Sequence, residues 1–178
     1  KHINKIATDR IKQNKNGRYS MKTLIAYGTK HGAVKKCAEK LADQLNGEVV
    51  VVNLKKTQDP DLNRYEQIVI GSSVYMGRIR KEVSKFCDRY LDVLMEKEIA
   101  LFTCCMTEGE EAVDQLKRNY PEELVEKSTT IGIFGGEFNF EKMNFLEKMV
   151  VKKVADVEET QSNILEKNIG SFAKAIND

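Results

Sequence analysis

The chain lacks the residues that build metal and disulfide sites. Its 178 residues include four cysteines (Cys37, Cys87, Cys104 and Cys105) with no CxxC spacing, and only two histidines. That inventory argues against a zinc site and against a disulfide framework, so reduced thiols are expected. Long apolar runs are also missing, and none approaches the ~20 residues of a membrane span. The dinucleotide fingerprint GxGxxG and the phosphate loop GxxxxGK(S/T) are both absent. Outside the first twenty residues there is no basic stripe with interleaved aromatics, which argues against nucleic-acid binding.

Charge is unevenly placed. The formal net charge is +2, yet residues 1–20 carry six Lys/Arg and one Asp, and the chain from Met21 carries 23 basic and 26 acidic residues. The basic character therefore belongs to an N-terminal extension, and the remainder is mildly acidic. Residues 1–20 are expected to be a flexible tail or a leader. The alternative is a basic amphipathic segment, with Ile3, Ile6 and Ile11, that touches a membrane surface or a partner. No apolar central segment of a secretory signal is visible at the start, and a cytoplasmic location is expected. With 41% hydrophobic residues, residues 21–178 are expected to form one domain with an ordinary core.

The stretch Met21–Leu45 organises the rest. A short apolar run, Thr23–Tyr27, leads into a turn with two glycines, Gly28-Thr29-Lys30-His31-Gly32. A helix pattern follows, with Val34, Cys37, Ala38, Leu41 and Leu45 on one face. The first backbone N–H groups of a helix have no intrahelical partner, and its dipole favours an anion there. A phosphate group is the first ligand this arrangement suggests.

Four further strands follow at Glu48–Leu54, Gln67–Val74, Ile99–Cys105 and Thr130–Phe134. The third strand is apolar enough to be central in a parallel sheet. It is expected to end in a loop over Ser72–Gly77, and the fifth strand to close at Gly135-Gly136. Helices are predicted over Arg80–Leu94, Glu108–Asn119, Phe140–Ala155 and Asn163–Ile176. Strands alternating with helices predict an α/β fold, a doubly wound parallel sheet with helices on both faces. Its ligand crevice lies beyond the carboxyl ends of the strands, at the switch point. A receiver domain shares this topology but needs acidic residues after the first strand, an Asp ending the third and a Lys ending the fifth. Here those positions read Tyr27-Gly28, Ser72-Ser73 and Phe134-Gly135, and that reading is rejected.

Tyr27–Glu39 (YGTKHGAVKKCAE) resembles the FMN phosphate loop of the flavodoxins. Gly71–Gly77 (GSSVYMG) resembles their second flavin loop, in which an aromatic stacks on the isoalloxazine ring. The likeness extends from Met21 to the C-terminus and implies a five-stranded sheet of order 2-1-3-4-5 with FMN as cofactor. It implies that the phosphate is held by Thr29, Lys30, His31, Gly32, Ala33 and Val34. It places the ring between Ser72, Ser73, Val74, Tyr75, Met76 and Gly77 on one side and Cys104, Cys105, Met106 and Thr107 on the other. Tyr75 aligns with the stacking aromatic. His31, Ala33 and Val34 stand where the family usually has Thr, Asn and Thr. Hydroxyl donors are lost there, leaving backbone N–H groups and the charge of Lys30 or His31. The cysteines of the third loop are also readable as small, buried apolar residues, and no thiol mechanism or other catalytic side chain is assigned.

Three functions follow from the resemblance. The first is an electron-transferring flavoprotein with a redox partner protein. The second is a quinone-dependent dehydrogenase, because GTKHGAVKKCAEKL and GSSVYMGRIRKEVSKF are similar to segments of the flavodoxin-like, menaquinone-dependent protoporphyrinogen oxidases. Phe134–Phe140 and the apolar helix after it resemble that group's insertion, here about 137–158, which implies a small-molecule or quinone substrate and a peripheral membrane contact. The third is a binding module of flavodoxin fold that has lost FMN. The mild acidity from Met21 onward is weak for a protein-docking shuttle.

Overall fold

The computed structural model describes residues 21–138, 145, 148–149 and 161–178. The expectations for residues 1–20 lie outside them. So does the helix expected over Phe140–Ala155, apart from Phe145, Lys148 and Met149, which are helical.

β1 (Lys22–Gly28), β2 (Glu48–Asn53) and β3 (Gln67–Tyr75) form three of the strands. A two-residue β4 (Arg78–Ile79) follows, then β5 (Glu98–Cys104) and β6 (Thr130–Ile133). β2, β1, β3, β5 and β6 lie side by side in that order, and every neighbouring pair is parallel. This is the expected 2-1-3-4-5 arrangement. The strands are rich in Val, Ile and Leu because a parallel sheet is covered on both faces.

Alternation along the strands feeds two apolar layers. Leu24, Ala26, Ile68, Ile70, Ile99 and Leu101 point to one face. There they meet α2 (Lys81–Leu94), α3 (Gly109–Asn119) and α4 (Glu122–Lys127) through Val83, Phe86, Leu116 and Leu124. Ile25, Tyr27, Val69, Ala100 and Phe102 point to the other face, against α1 (Ala33–Ala42) and α5 (Glu166–Asn177). Each fully buried aliphatic side chain contributes about 1.5–3 kcal/mol. Under the second face Phe102 stacks on Phe134 with centroids 4.5 Å apart, and Phe172 meets Phe134 edge-on at 5.1 Å. Gly71 makes room for this cluster, since a Cβ there would lie 2.1 Å from the Phe102 ring.

Three expectations are corrected. The end of the third strand is not an open loop: β3 runs on to Tyr75, and β4 turns back antiparallel on it, pairing Val74 with Ile79 and Tyr75 with Arg78. The tight turn forms because Met76 and Gly77 take left-handed conformations, with φ of 52° and 74°. The glycines after the fifth strand are not a closing turn: β6 ends at Ile133, and Gly135-Gly136 open β7 (Gly135–Phe138), which pairs antiparallel with β8 (Gln161–Ile164). The last helix therefore starts at Glu166 rather than at Asn163. Asn163 and Ile164 are held in strand form by Gly136 and Gly135, a pairing that local sequence does not announce.

Candidate functional site

The carboxyl ends of β1, β3 and β5 face a small cavity of about 70 Å³. Four segments line it. Thr29, Lys30, His31 and Ala33 come from the turn after β1, and Ser73, Val74 and Tyr75 from the end of β3. Cys104, Cys105 and Met106 follow β5, and Gly136 and Glu137 belong to β7. The three loops singled out in the sequence thus converge, joined by a fourth segment.

The first turn is built around Gly32. Its φ of 104° places it in the left-handed region as the residue that caps α1. Its N–H donates to Thr29 Oγ1 at 3.0 Å, so that hydroxyl closes the turn. The N–H groups of Ala33, Val34 and Lys35 begin the helix, where no intrahelical acceptor exists, and they form the anion-attracting end. Val34 is fully buried in the core beneath, so only its backbone belongs to the site.

The second segment divides in two. Tyr75 faces the cavity, and the Lys30 ammonium lies 3.2 Å from the centroid of its ring. Ser73 Oγ is buried and has no hydrogen-bond partner among the described residues. A buried hydroxyl left unpaired costs about 1–3 kcal/mol, so this atom marks a place where a polar ligand atom is wanted. Ser72 faces away: its Oγ accepts from the Arg80 N–H at 2.9 Å and donates to the Ser73 carbonyl at 3.1 Å. It shapes the strand end and the start of α2. Met76 is 82% exposed at the tip of the turn, and neither it nor Gly77 lines the cavity. The hairpin is anchored by Asn119, whose Oδ1 accepts from Ile79 N–H at 3.0 Å and whose Nδ2 donates to the Gly77 carbonyl at 2.9 Å.

The third segment contributes apolar surface. Cys104 is buried, and the hydrogen bond with the Cys37 thiol, together with burial, pushes its pKa up. Burial also raises the pKa of Cys105, whose thiol donates to the Thr107 carbonyl at 3.4 Å. Thiols held protonated in this way are poor nucleophiles, in line with the apolar reading of the cysteines. Thr107 lines a second cavity, of about 540 Å³, that runs beside the edge strand β6 towards α5. Cys105 and Met106 form a wall common to both cavities.

Sequence reasoning missed Glu137 and Lys36. The Lys36 ammonium reaches both carboxylate oxygens of Glu137, at 2.7 and 3.0 Å. Glu137 is brought in by the paired strands β7 and β8, and the only signal for it was the Gly135-Gly136 pair that lets β7 run close to the third loop. A Cβ on Gly136 would lie 2.8 Å from Met106 Sδ. No cluster of three His, Cys, Asp or Glu able to hold a metal ion occurs among the described residues. Among them no helix is long and apolar enough to cross a membrane.

A stretch of 70 residues is 34% identical to an uncharacterized protein of Methanocaldococcus jannaschii, covering 39% of this chain and 45% of that one. Another of 86 residues is 27% identical to protoporphyrinogen IX dehydrogenase [quinone] of Escherichia coli K12, covering 47% and 48%. These matches span about half the length of the curated relatives. In fold, the chain is similar to oxidised flavodoxin 1 of Bacillus cereus, with a TM-score of 0.54, 18% identity and coverage of 86% and 95%. It is also similar to a flavodoxin, WrbA-like protein of Agrobacterium tumefaciens, with a TM-score of 0.53, 14% identity and coverage of 89% and 93%. The family model described as "Flavodoxin domain" matches residues 24–164, and the chain belongs to the flavodoxin domain family.

Proposed function

We propose that this protein binds FMN at the ends of β1, β3 and β5 and transfers electrons through it. The observation that carries the reading is the convergence on one cavity of a helix start, an aromatic ring and an unpaired buried hydroxyl. These residues fit the group. The N–H groups of Ala33, Val34 and Lys35 would hold the phosphate, Tyr75 would stack on the ring, and Ser73 Oγ would meet a polar edge. Bound FMN supplies one- and two-electron redox chemistry. The chain binds and orients it, and Cys104, Cys105 and Met106 keep water from one side. Lys30 lies on Tyr75 and lines the same cavity, so a ring stacked on that face would have to displace it.

A second reading, a quinone-dependent protoporphyrinogen dehydrogenase, is favoured by one observation. The cavity of about 540 Å³ shares Cys105 and Met106 with the first and falls in the size range of small-molecule sites. An apolar co-substrate there would reach the shared wall. The likeness to the E. coli dehydrogenase supports the same reading.

The test is to load the protein with FMN, photoreduce it without oxygen and follow visible absorbance. Reduction in two separated one-electron stages supports the electron carrier. Direct two-electron reduction, followed by turnover of protoporphyrinogen with a quinone, supports the dehydrogenase. A chain that takes up no FMN is the binding module instead.

A further inference from the structure

Glu137 is the one acidic side chain among the described residues that line the cavity, and it is only 3% exposed. Its partner Lys36 is 49% exposed. The pair is therefore asymmetric. A buried carboxylate needs its counter-ion to remain charged, whereas a half-exposed ammonium is already solvated. Lys36 also sits one turn along α1 from Ala33, on the same side of the helix. Ser162 Oγ, 3.5 Å from the carboxylate, is a weak second contact. A phosphate arriving at the helix start meets attraction from Lys36 and repulsion from Glu137.

We infer that Lys36 is a phosphate-binding residue held in reserve by Glu137. The carboxylate holds the ammonium in the ligand-free chain, and a phosphate monoester shares that cation on binding. The hydroxyls that the first loop lacks are replaced by a cation drawn from this ion pair. Glu137 thereby sets how strongly the site prefers phosphorylated over unphosphorylated flavin. This rests on the FMN reading above, which by itself assigns Lys36 and Glu137 no role.

The experiment measures dissociation constants of FMN, riboflavin and inorganic phosphate for the wild type, Glu137→Gln, Lys36→Met and Lys36→Arg. Glu137 lines the same cavity as the helix start, so a phosphate bound there meets a like charge, and Glu137→Gln should tighten FMN and inorganic phosphate by about tenfold. Riboflavin should stay within about twofold of wild type, because it carries no phosphate to repel. Lys36→Met should weaken FMN and phosphate and spare riboflavin, and Lys36→Arg should restore both. An unchanged FMN-to-riboflavin ratio in Glu137→Gln overturns the inference. So does an equal loss of riboflavin and FMN in Lys36→Met, which would mark the pair as a structural pin. A wild type that binds neither flavin overturns the functional reading. Inorganic phosphate then decides the inference alone, supporting it if tighter in Glu137→Gln and overturning it if not.

Discussion

The ammonium of Lys30 lies 3.2 Å from the centre of the Tyr75 ring, on the aromatic that a flavin ring would cover. A cation over an aromatic face at a partly exposed site is worth about 0.5–1 kcal/mol, and a stacking ligand must displace it. Lys30→Met should therefore tighten riboflavin by about two- to fivefold. Tyr75→Ala should weaken riboflavin and FMN alike by about fivefold or more, from the loss of stacking worth ~1 kcal/mol. Fluorescence titration measures both, and riboflavin affinity unmoved by either change removes Tyr75 from the site.

Gly71 lies beneath the site in the centre of β3. Any Cβ there would press on the Phe102 ring at 2.1–2.7 Å, inside the stack with Phe134. Overpacking of this kind costs about 1–3 kcal/mol. Gly71→Ala should lower the unfolding free energy measured by urea titration by that amount, and adding Phe102→Leu should recover part of it. Independent, additive losses in the double variant would show that the two positions do not meet.

Asn119 ties the β3–β4 turn to α3 through Ile79, Gly77 and Gln115. Asn119→Ala should cost about 1–3 kcal/mol, because partly buried backbone groups lose their partner. Its larger effect should fall on the turn that positions Tyr75. Amide exchange at Met76–Ile79 should accelerate and flavin affinity should drop, with exchange in β1 and β5 unaltered. Uniform acceleration across the sheet would instead indicate a global loss.

The buried thiols make alkali the weak side of this protein. Burial pushes the Cys87 pKa up to about 12, and Cys104 and Tyr120 shift in the same direction. The folded chain then keeps protons that the unfolded chain has released. The stabilisation is complete below the unfolded thiol value of about 8.5 and is lost as pH rises towards the folded value. The urea midpoint should be level from about pH 6 to 8 and fall above about pH 9, less steeply in Cys87→Ala than in wild type. A level midpoint up to about pH 11 contradicts the assignment.

The sheet was legible because burial on both faces leaves continuous apolar strands. EVVVVNL and QIVIGSSV admit little else. The first loop was legible because a left-handed residue must cap α1, and Gly32 is the residue suited to it. What escaped depended on partners far away in the chain. Ile164 looks like the start of a helix until Gly135 pairs with it. Ser72 looks like a ring contact until Arg80 N–H claims its hydroxyl. Glu137 looks like any surface glutamate until β7, paired with β8, brings it to Lys36 of α1. Local pattern specifies which elements form, and contacts between elements decide which side chains face the cavity.

The Lys36–Glu137 contact joins positions 101 residues apart in sequence. Closing so large a loop is entropically slow and depends on what forms between its ends. Five strands, β2 to β6, lie in that interval, and the contact depends on the sheet they build. The charge balance of the cavity therefore depends on long-range pairing rather than on local structure. A half-assembled sheet would already present the cationic helix start without its carboxylate. Anions in solution should find that intermediate more accommodating than the finished protein, which places a phosphate-bearing cofactor among the agents able to guide the final steps of folding.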